Sequence, residues 1–203
     1  MSSDKRLEIE TNRARRVIDF RSRLTAPPQD GGIPPGAAVT IELGCGHGHF
    51  LAAYAAAHPG EHCLGVDLLT KRIERCLRKR DRAGLHNLDF LKADAFEFVE
   101  AIPQGIQLKN IYLIHPDPWP KTRHHKNRLL QPRLLDLLAN ISIAGHTHLH
   151  FRTDHSGYHE WAASHLESHP SWRLLPSSPW PFEQETFFSK LLPIHHDLIA
   201  ERV

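Results

Sequence analysis

Apolar and polar positions divide the chain into short strand-like runs and longer helical ones. The runs VTIELGC (39–45), HCLGVDL (62–68), LDFLKAD (88–94), IYLIHPD (111–117) and THLHFRTD (147–154) are each rich in apolar residues. Each precedes a segment with a helical pattern, at 48–57, 70–83, about 95–101, 128–142 and 156–168. Short apolar runs bounded by turn residues read as strands, and spacing by three and four reads as one face of a helix. This βα alternation predicts an α/β domain with a mostly parallel sheet and helices on both faces. WRLLP (172–176) and HHDLIAERV (195–203) add two strands, for seven in all. Upstream, residues 1–24 look amphipathic and helical, and TAPPQDGGIPPGA (25–37) is a Pro/Gly-rich connection. The pattern separates an extension, 1–37, from a folded domain, 38–203.

Composition narrows the setting. The 203 residues are enough for one domain with a real core. No window approaches the roughly 18 to 20 consecutive apolar residues of a membrane span, and MSSDKRLEIE lacks a basic-then-apolar leader. A cytoplasmic protein without membrane attachment is expected. Cys45, Cys63 and Cys76 are odd in number with no CxxC spacing, so they read as free thiols.

Net charge is +2, but the charges are segregated. Lys and Arg outnumber acids seven to four in residues 1–24, seven to two in 71–82 and five to none in 121–133. The rest of the chain is acidic. A basic surface around an acidic cleft suits a polyanionic ligand. Along 70–83, Lys71, Arg72, Arg75, Arg78, Lys79 and Arg82 share one side opposite Ile73 and Leu77. That face is either a second RNA surface or a solvated one.

In open parallel sheets the ligand sits beyond the carboxyl ends of the strands. Five of those ends carry an acid: Glu42, Asp67, Asp94, Asp117 and Asp154. Helix capping accounts for any one of them, but not for all five along one rim. IELGCGHGHF (41–50) follows its strand with Gly44, Gly46 and Gly48, which let the backbone turn tightly beside a ligand. Asp67 is placed to accept ribose hydroxyls, and Asp94 an exocyclic adenine amine. Glu42 would repel a phosphate and attract a sulfonium. The combination resembles the Rossmann-like class I methyltransferase fold, in which such acids and glycines hold S-adenosylmethionine.

PDPWPKTRHHKNR (116–128), together with FRTD (151–154), is similar to the tRNA (guanine-N7-)-methyltransferases. The similarity runs from about residue 38 through Asp154 and returns in DLIAERV (197–203). It implies transfer from S-adenosylmethionine to guanine N7 of tRNA, at guanosine 46 of the variable loop. By the same resemblance Glu42, Asp67, Asp94 and Asp117 are cofactor-side residues, with Asp117 also catalytic. Lys121 and Asp154 match substrate-binding positions. Arg123, His124, His125, Lys126, Asn127 and Arg128 match the RNA-contacting segment. Other readings are a class I methyltransferase for another RNA or a small molecule, and a non-catalytic tRNA-binding relative.

The chemistry agrees. Guanine N7 has an in-plane lone pair and needs no general base, so the site must align rather than deprotonate. Pro116, Pro118 and Pro120 stiffen the turn, and Trp119 either packs under it or stacks on a base. The family's T-x-F-E element finds its best match in TFFS (186–189), where Thr186 and Phe188 agree but Ser189 replaces the acid. Thr186 and Ser189 are taken as substrate positions, with Glu183 or Glu185 as possible stand-ins. Asn127 stands where a second Arg is common. These departures leave the target nucleotide less fixed than the reaction.

Among 17 histidines, His146, His148 and His150 share a strand face but lack companion ligands, so no metal is expected. His195 and His196 point to opposite faces. Monomer and homodimer both remain open.

Overall fold

The structure, a computed structural model, describes residues 3–184 and 194–203. In chain order the elements are α1 (Ser3–Leu24), β1 (Ala38–Leu43), α2 (His49–Ala57), β2 (Glu61–Asp67), α3 (Thr70–Ala83), β3 (Leu88–Lys92) and α4 (Ala95–Ala101). There follow β4 (Gln107–Ile114), α5 (Pro132–Ile141), β5 (His148–Thr153), α6 (Ser156–Ser168), β6 (Trp172–Leu174) and β7 (His196–Arg202). The seven strands form one sheet in the order β3-β2-β1-β4-β5-β7-β6. β7 alone runs antiparallel to its neighbours, with His196 opposite Thr153 and Arg202 opposite Trp172.

Period-two alternation sends neighbouring strand residues into two separate cores. Ile41, Ile111, Leu113, Leu149 and Phe151 point to a layer closed by residues of α4, α5 and α6. Cys63, Phe90 and Tyr112 point the other way, against Phe50, Leu51 and Tyr54 of α2 and Ile73 and Cys76 of α3. Both faces of the sheet are thus covered, which is why its strands read as near-continuous apolar runs.

α1 lies across α4. Phe20 and Leu24 join the first core. Arg16 donates to both Glu97 oxygens, at 2.8 and 2.6 Å, and Arg13 pairs with Glu100. Among the described residues no helix is long and apolar enough to cross a membrane.

The helix expected at 128–142 begins at Pro132. Proline fixes φ and lacks an N–H, so it sits readily at a first helical position. Residues Thr122–Asn127 form a short 3-10 turn instead. His148 opens β5, and His146 lies in the turn before it. His150 is a core residue that stacks on Tyr112 and bonds Asn110 Oδ1 at 3.0 Å. Burial pushes its pKa down to about 3.

Candidate active site

β1 and β4 are adjacent, and their carboxyl ends open onto a cleft. The cleft is lined by Glu42, the glycine turn, Phe50, Arg72, His115 and Asp117. The turn is built by backbone conformation. Gly46 (φ +53) points its N–H at Asp67 Oδ2, 3.2 Å away. Gly48 (φ +64) starts α2, and a β-carbon there would meet Phe90 at 2.7 Å and Cys76 Sγ at 2.9 Å. A side chain at Gly48 would push α2 away from the sheet.

Glu42 is 4 % exposed, and its Oε2 has no hydrogen-bond partner. Burial, reinforced by nearby negative groups including Asp67, holds its pKa well above the usual carboxylate value. Burial thus disfavours the charged carboxylate, and a cation sharing its site would favour it. A sulfonium supplies such a cation, so the unpartnered oxygen fits S-adenosylmethionine better than it fits a dinucleotide phosphate.

Asp67 is almost saturated. Leu69 N–H donates to Oδ1 at 2.9 Å, while Gly46 N–H and Arg72 Nη1 donate to Oδ2 at 3.2 and 3.1 Å. A carboxylate has about four lone-pair positions, so a ribose diol needs Arg72 to move. Asp94 caps α4, accepting from Phe96 and Glu97 N–H at 2.9 and 3.2 Å, and does not line the cleft. Both cap bonds end on Oδ1. Asp117 and Asp154 are exposed.

The 115–128 stretch divides into three parts. His115 and Trp119 adopt φ of +48 and +43, a left-handed conformation that non-glycine residues seldom take and that concentrates at functional sites. Trp119 is 36 % exposed and meets the edge of His124. Lys121, Arg123, Lys126 and Asn127 are exposed; His124 and His125 are half-buried, His125 against Trp161.

Arg128 departs from the expected RNA-contacting arm. It is 1 % exposed, its Nε donates to Pro118 O at 2.8 Å and its Nη1 to Gly157 O at 3.2 Å. Its guanidinium lies over the Tyr158 and Trp161 rings. Arg128 therefore braces the Asp117 turn from beneath and is closed to a phosphate.

Arg152 belongs to the FRTD motif, but no role of its own was legible there. Its guanidinium pairs with Asp197 of β7 and bidentately with Glu183, and lies 4.1 Å from the Trp180 ring centroid. This clamp sets Trp180 and Phe182 against Tyr112, Phe50 and Tyr54. Glu183 is committed there and is not free to replace the acid missing at Ser189. Thr186, Ser189 and Glu185 lie outside the described residues.

On α3, Ile73 and Cys76 face the core. Arg72 binds Asp67, Lys79 donates to His47 O at 2.7 Å, and Arg80 pairs with Asp81 and Asp89, leaving Lys71, Arg75, Arg78 and Arg82 exposed, Arg75 beside His47.

A family-wide sequence model described as "Putative methyltransferase" matches residues 36–190. The chain belongs to this methyltransferase family. Proteins named tRNA (guanine-N(7)-)-methyltransferase are similar to it. The one from Halorhodospira halophila is 40% identical over 139 residues, 68% of this chain and 60% of that protein. Those from Rhodospirillum rubrum and Treponema pallidum are 33% and 36% identical, over 68% and 76% of this chain and 54% and 61% of theirs. The matched region thus spans little more than half of those relatives' length.

Among solved structures, an rRNA methylase from Streptococcus thermophilus superposes with a TM-score of 0.56 at 9% identity, covering 91% of this chain and 93% of that one. TrmN from Thermus thermophilus does so at 0.58 and 17%, covering 83% and 45%. The likeness establishes the class I methyltransferase fold of this family member.

Proposed function

We propose that this methyltransferase acts on guanine N7 of tRNA, at the variable-loop guanosine, with S-adenosylmethionine as donor. The observation that carries the reading is the meeting at one cleft of Glu42, buried with a free oxygen, and Asp117, held on a braced turn. When bound, the cofactor supplies a sulfonium-activated methyl group. Glu42 would hold the cation, whose charge favours the ionised carboxylate. Gly44 and Gly46 line the cleft and would leave room for the cofactor along the turn, while Gly48 shapes the turn by letting α2 pack on Phe90 and Cys76. Asp67 would take the ribose hydroxyls once Arg72 withdraws, and Asp94 keeps Oδ2 free of its cap for the adenine amine.

Asp117 and Asp154 then accept from guanine N1–H and its exocyclic amine, which aims N7 along the line of transfer. Alignment of this kind is worth up to roughly 7 to 11 kcal/mol. The methylated base is a cation, and the same two carboxylates stabilise the developing charge. Lys121 lies between this turn and the arm of Arg123, His124, His125, Lys126 and Asn127, whose cations contact phosphates and set register without reading sequence. A cytoplasmic setting accords with a tRNA substrate.

The test is incubation of the pure protein with labelled S-adenosylmethionine and unmodified tRNA, followed by mapping of the modified base. Label at guanine N7 is expected. Cofactor binding without label there would reject the reading.

A further inference from the structure

The transfer described above uses no histidine, yet a buried imidazole stands between its parts. The His115 side chain is 6 % exposed. It borders the cleft of Glu42 and Asp117 on one side and a narrower cavity beside Phe50, Arg152 and Trp180 on the other. Neither ring nitrogen has a hydrogen-bond partner. Nδ1 lies 3.5 Å from Asp154 Oδ1, just beyond a hydrogen bond, and Asp154 has no other ion-pair partner among the described residues. The strained φ of +48 at His115 holds the ring in this place.

The tautomer follows from the neighbour. An ionised carboxylate only accepts, so the proton belongs on Nδ1 and Nε2 is left with its lone pair. We infer that His115 is a specificity residue for guanine, steering the Asp154 carboxylate through Nδ1–H and presenting Nε2 to an N–H of the base's pairing edge. This rests on the guanine-N7 reading. On this reading Asp117, Asp154 and, once the base enters beside the ring, Nε2 all accept from the base. Guanine meets them with donors at N1 and the exocyclic amine, whereas adenine brings an acceptor at N1 and sets lone pair against lone pair.

Titratable and charged groups face the ring from the elements around it: Arg152 of β5 and Asp154 just after it, His195 ahead of β7, Glu42 from β1 and Asp117 on its own loop. Burial lowers the imidazole pKa; Asp154 opposes this, and Arg152 and His195 add to it. The ring is thus neutral at physiological pH. Acid converts Nε2 from acceptor to donor and adds a positive charge beside a base that becomes a cation.

Wild type, His115→Phe and His115→Gln are compared for transfer to unmodified tRNA between about pH 5 and pH 8, with cofactor affinity measured by calorimetry. Phe keeps the ring shape and removes both nitrogens, while Gln restores an acceptor. His115→Phe is expected to lose about tenfold or more in kcat/KM for tRNA, with cofactor Kd within about threefold of wild type. The acid limb of the pH profile disappears in both variants, and His115→Gln recovers part of the rate. A cofactor-binding Phe variant with wild-type kcat/KM and acid limb overturns the role of His115 alone. Wild type that binds cofactor but leaves guanine N7 unmethylated overturns the underlying reading. Should His115→Phe not fold, His115→Gln decides: an acid limb retained by its folded form rejects the inference.

Discussion

At the amino end of the sheet, Glu61 opens β2 with both oxygens occupied. Thr40 and Tyr54 hydroxyls donate to Oε2 at 2.8 and 3.0 Å, and Lys109 donates to Oε1. Asp89, near the start of β3, takes Arg23, Arg80 and the Phe90 N–H. At the carboxyl end, Glu42 is equally withdrawn from water, 4 % exposed against 8 % for Glu61, yet Oε2 has no partner, and neither has the His115 ring. The residue types match, and their satisfaction is opposite. Buried polar groups normally find partners, so an acid left unsatisfied marks a place where a ligand completes the set. Cavity size points the wrong way: about 470 Å³ opens at the amino end beside Asp89, against about 150 Å³ at the carboxyl end.

Asp117→Ala is expected to reduce transfer about a hundred- to a thousandfold, on the scale of losing one preorganised transition-state contact. Its melting temperature should stay put because the side chain is exposed. Glu61→Ala, at the other end, is expected to cost about 2 to 4 kcal/mol in urea unfolding by stranding Lys109, Tyr54 and Thr40. Residual transfer per folded molecule should be unchanged. A large catalytic loss in Glu61→Ala, or a large stability loss in Asp117→Ala, would merge the two ends.

Arg128→Ala and Lys126→Ala separate the brace from the arm. The first is expected to destabilise by about 2 kcal/mol through lost packing and unpaired carbonyls. The second leaves stability alone, weakens tRNA binding and flattens its salt dependence by about one unit of log–log slope.

Glu42 and Glu61 also give opposite pH signatures. Burial raises the Glu61 pKa, but the bonds from Lys109, Thr40 and Tyr54 outweigh it and hold the group below 4.5. Its stabilisation is present above that value and is lost as pH falls through the folded pKa. Glu42 is raised above 4.5, so its contribution is full below that value and is lost as pH rises through the folded pKa. Glu42→Gln should remove that loss on rising pH in chemical unfolding, and weaken cofactor binding about tenfold. The smallest effect is expected for Arg72→Ala, which frees Asp67 and tightens cofactor binding a few-fold in calorimetry. Unchanged affinity would show that Arg72 does not compete for Asp67.

Much of this was legible in the sequence because it is local. Period-two runs set the strands, glycines permit the left-handed turn, and the acids sit at strand ends whatever packs around them. A buried basic residue such as Arg128 looks identical in sequence to its exposed neighbours Lys126 and Arg123. Its partners are Gly157, Tyr158 and Trp161, some thirty residues onward, and the fold alone brings them beneath the Pro118 carbonyl. The helix starts at Pro132 rather than at 128 for a related reason. Leu129 and Leu130 extend the apolar helical spacing upstream, while the distant contacts that hold Arg128 outside the helix leave no trace in that spacing.

For this protein the chain by itself determined the α/β order, the acidic rim and the family resemblance, because propensity, turn chemistry and motif spacing are properties of neighbouring residues. Tertiary structure decided which polar atoms are satisfied. It saturated Glu61, Asp89 and Arg128, diverted Glu183 to Arg152, and left Glu42 and His115 wanting. A hydrogen bond needs two groups within about 3 Å, and among residues tens of positions apart only the packed sheet and helices decide which two meet.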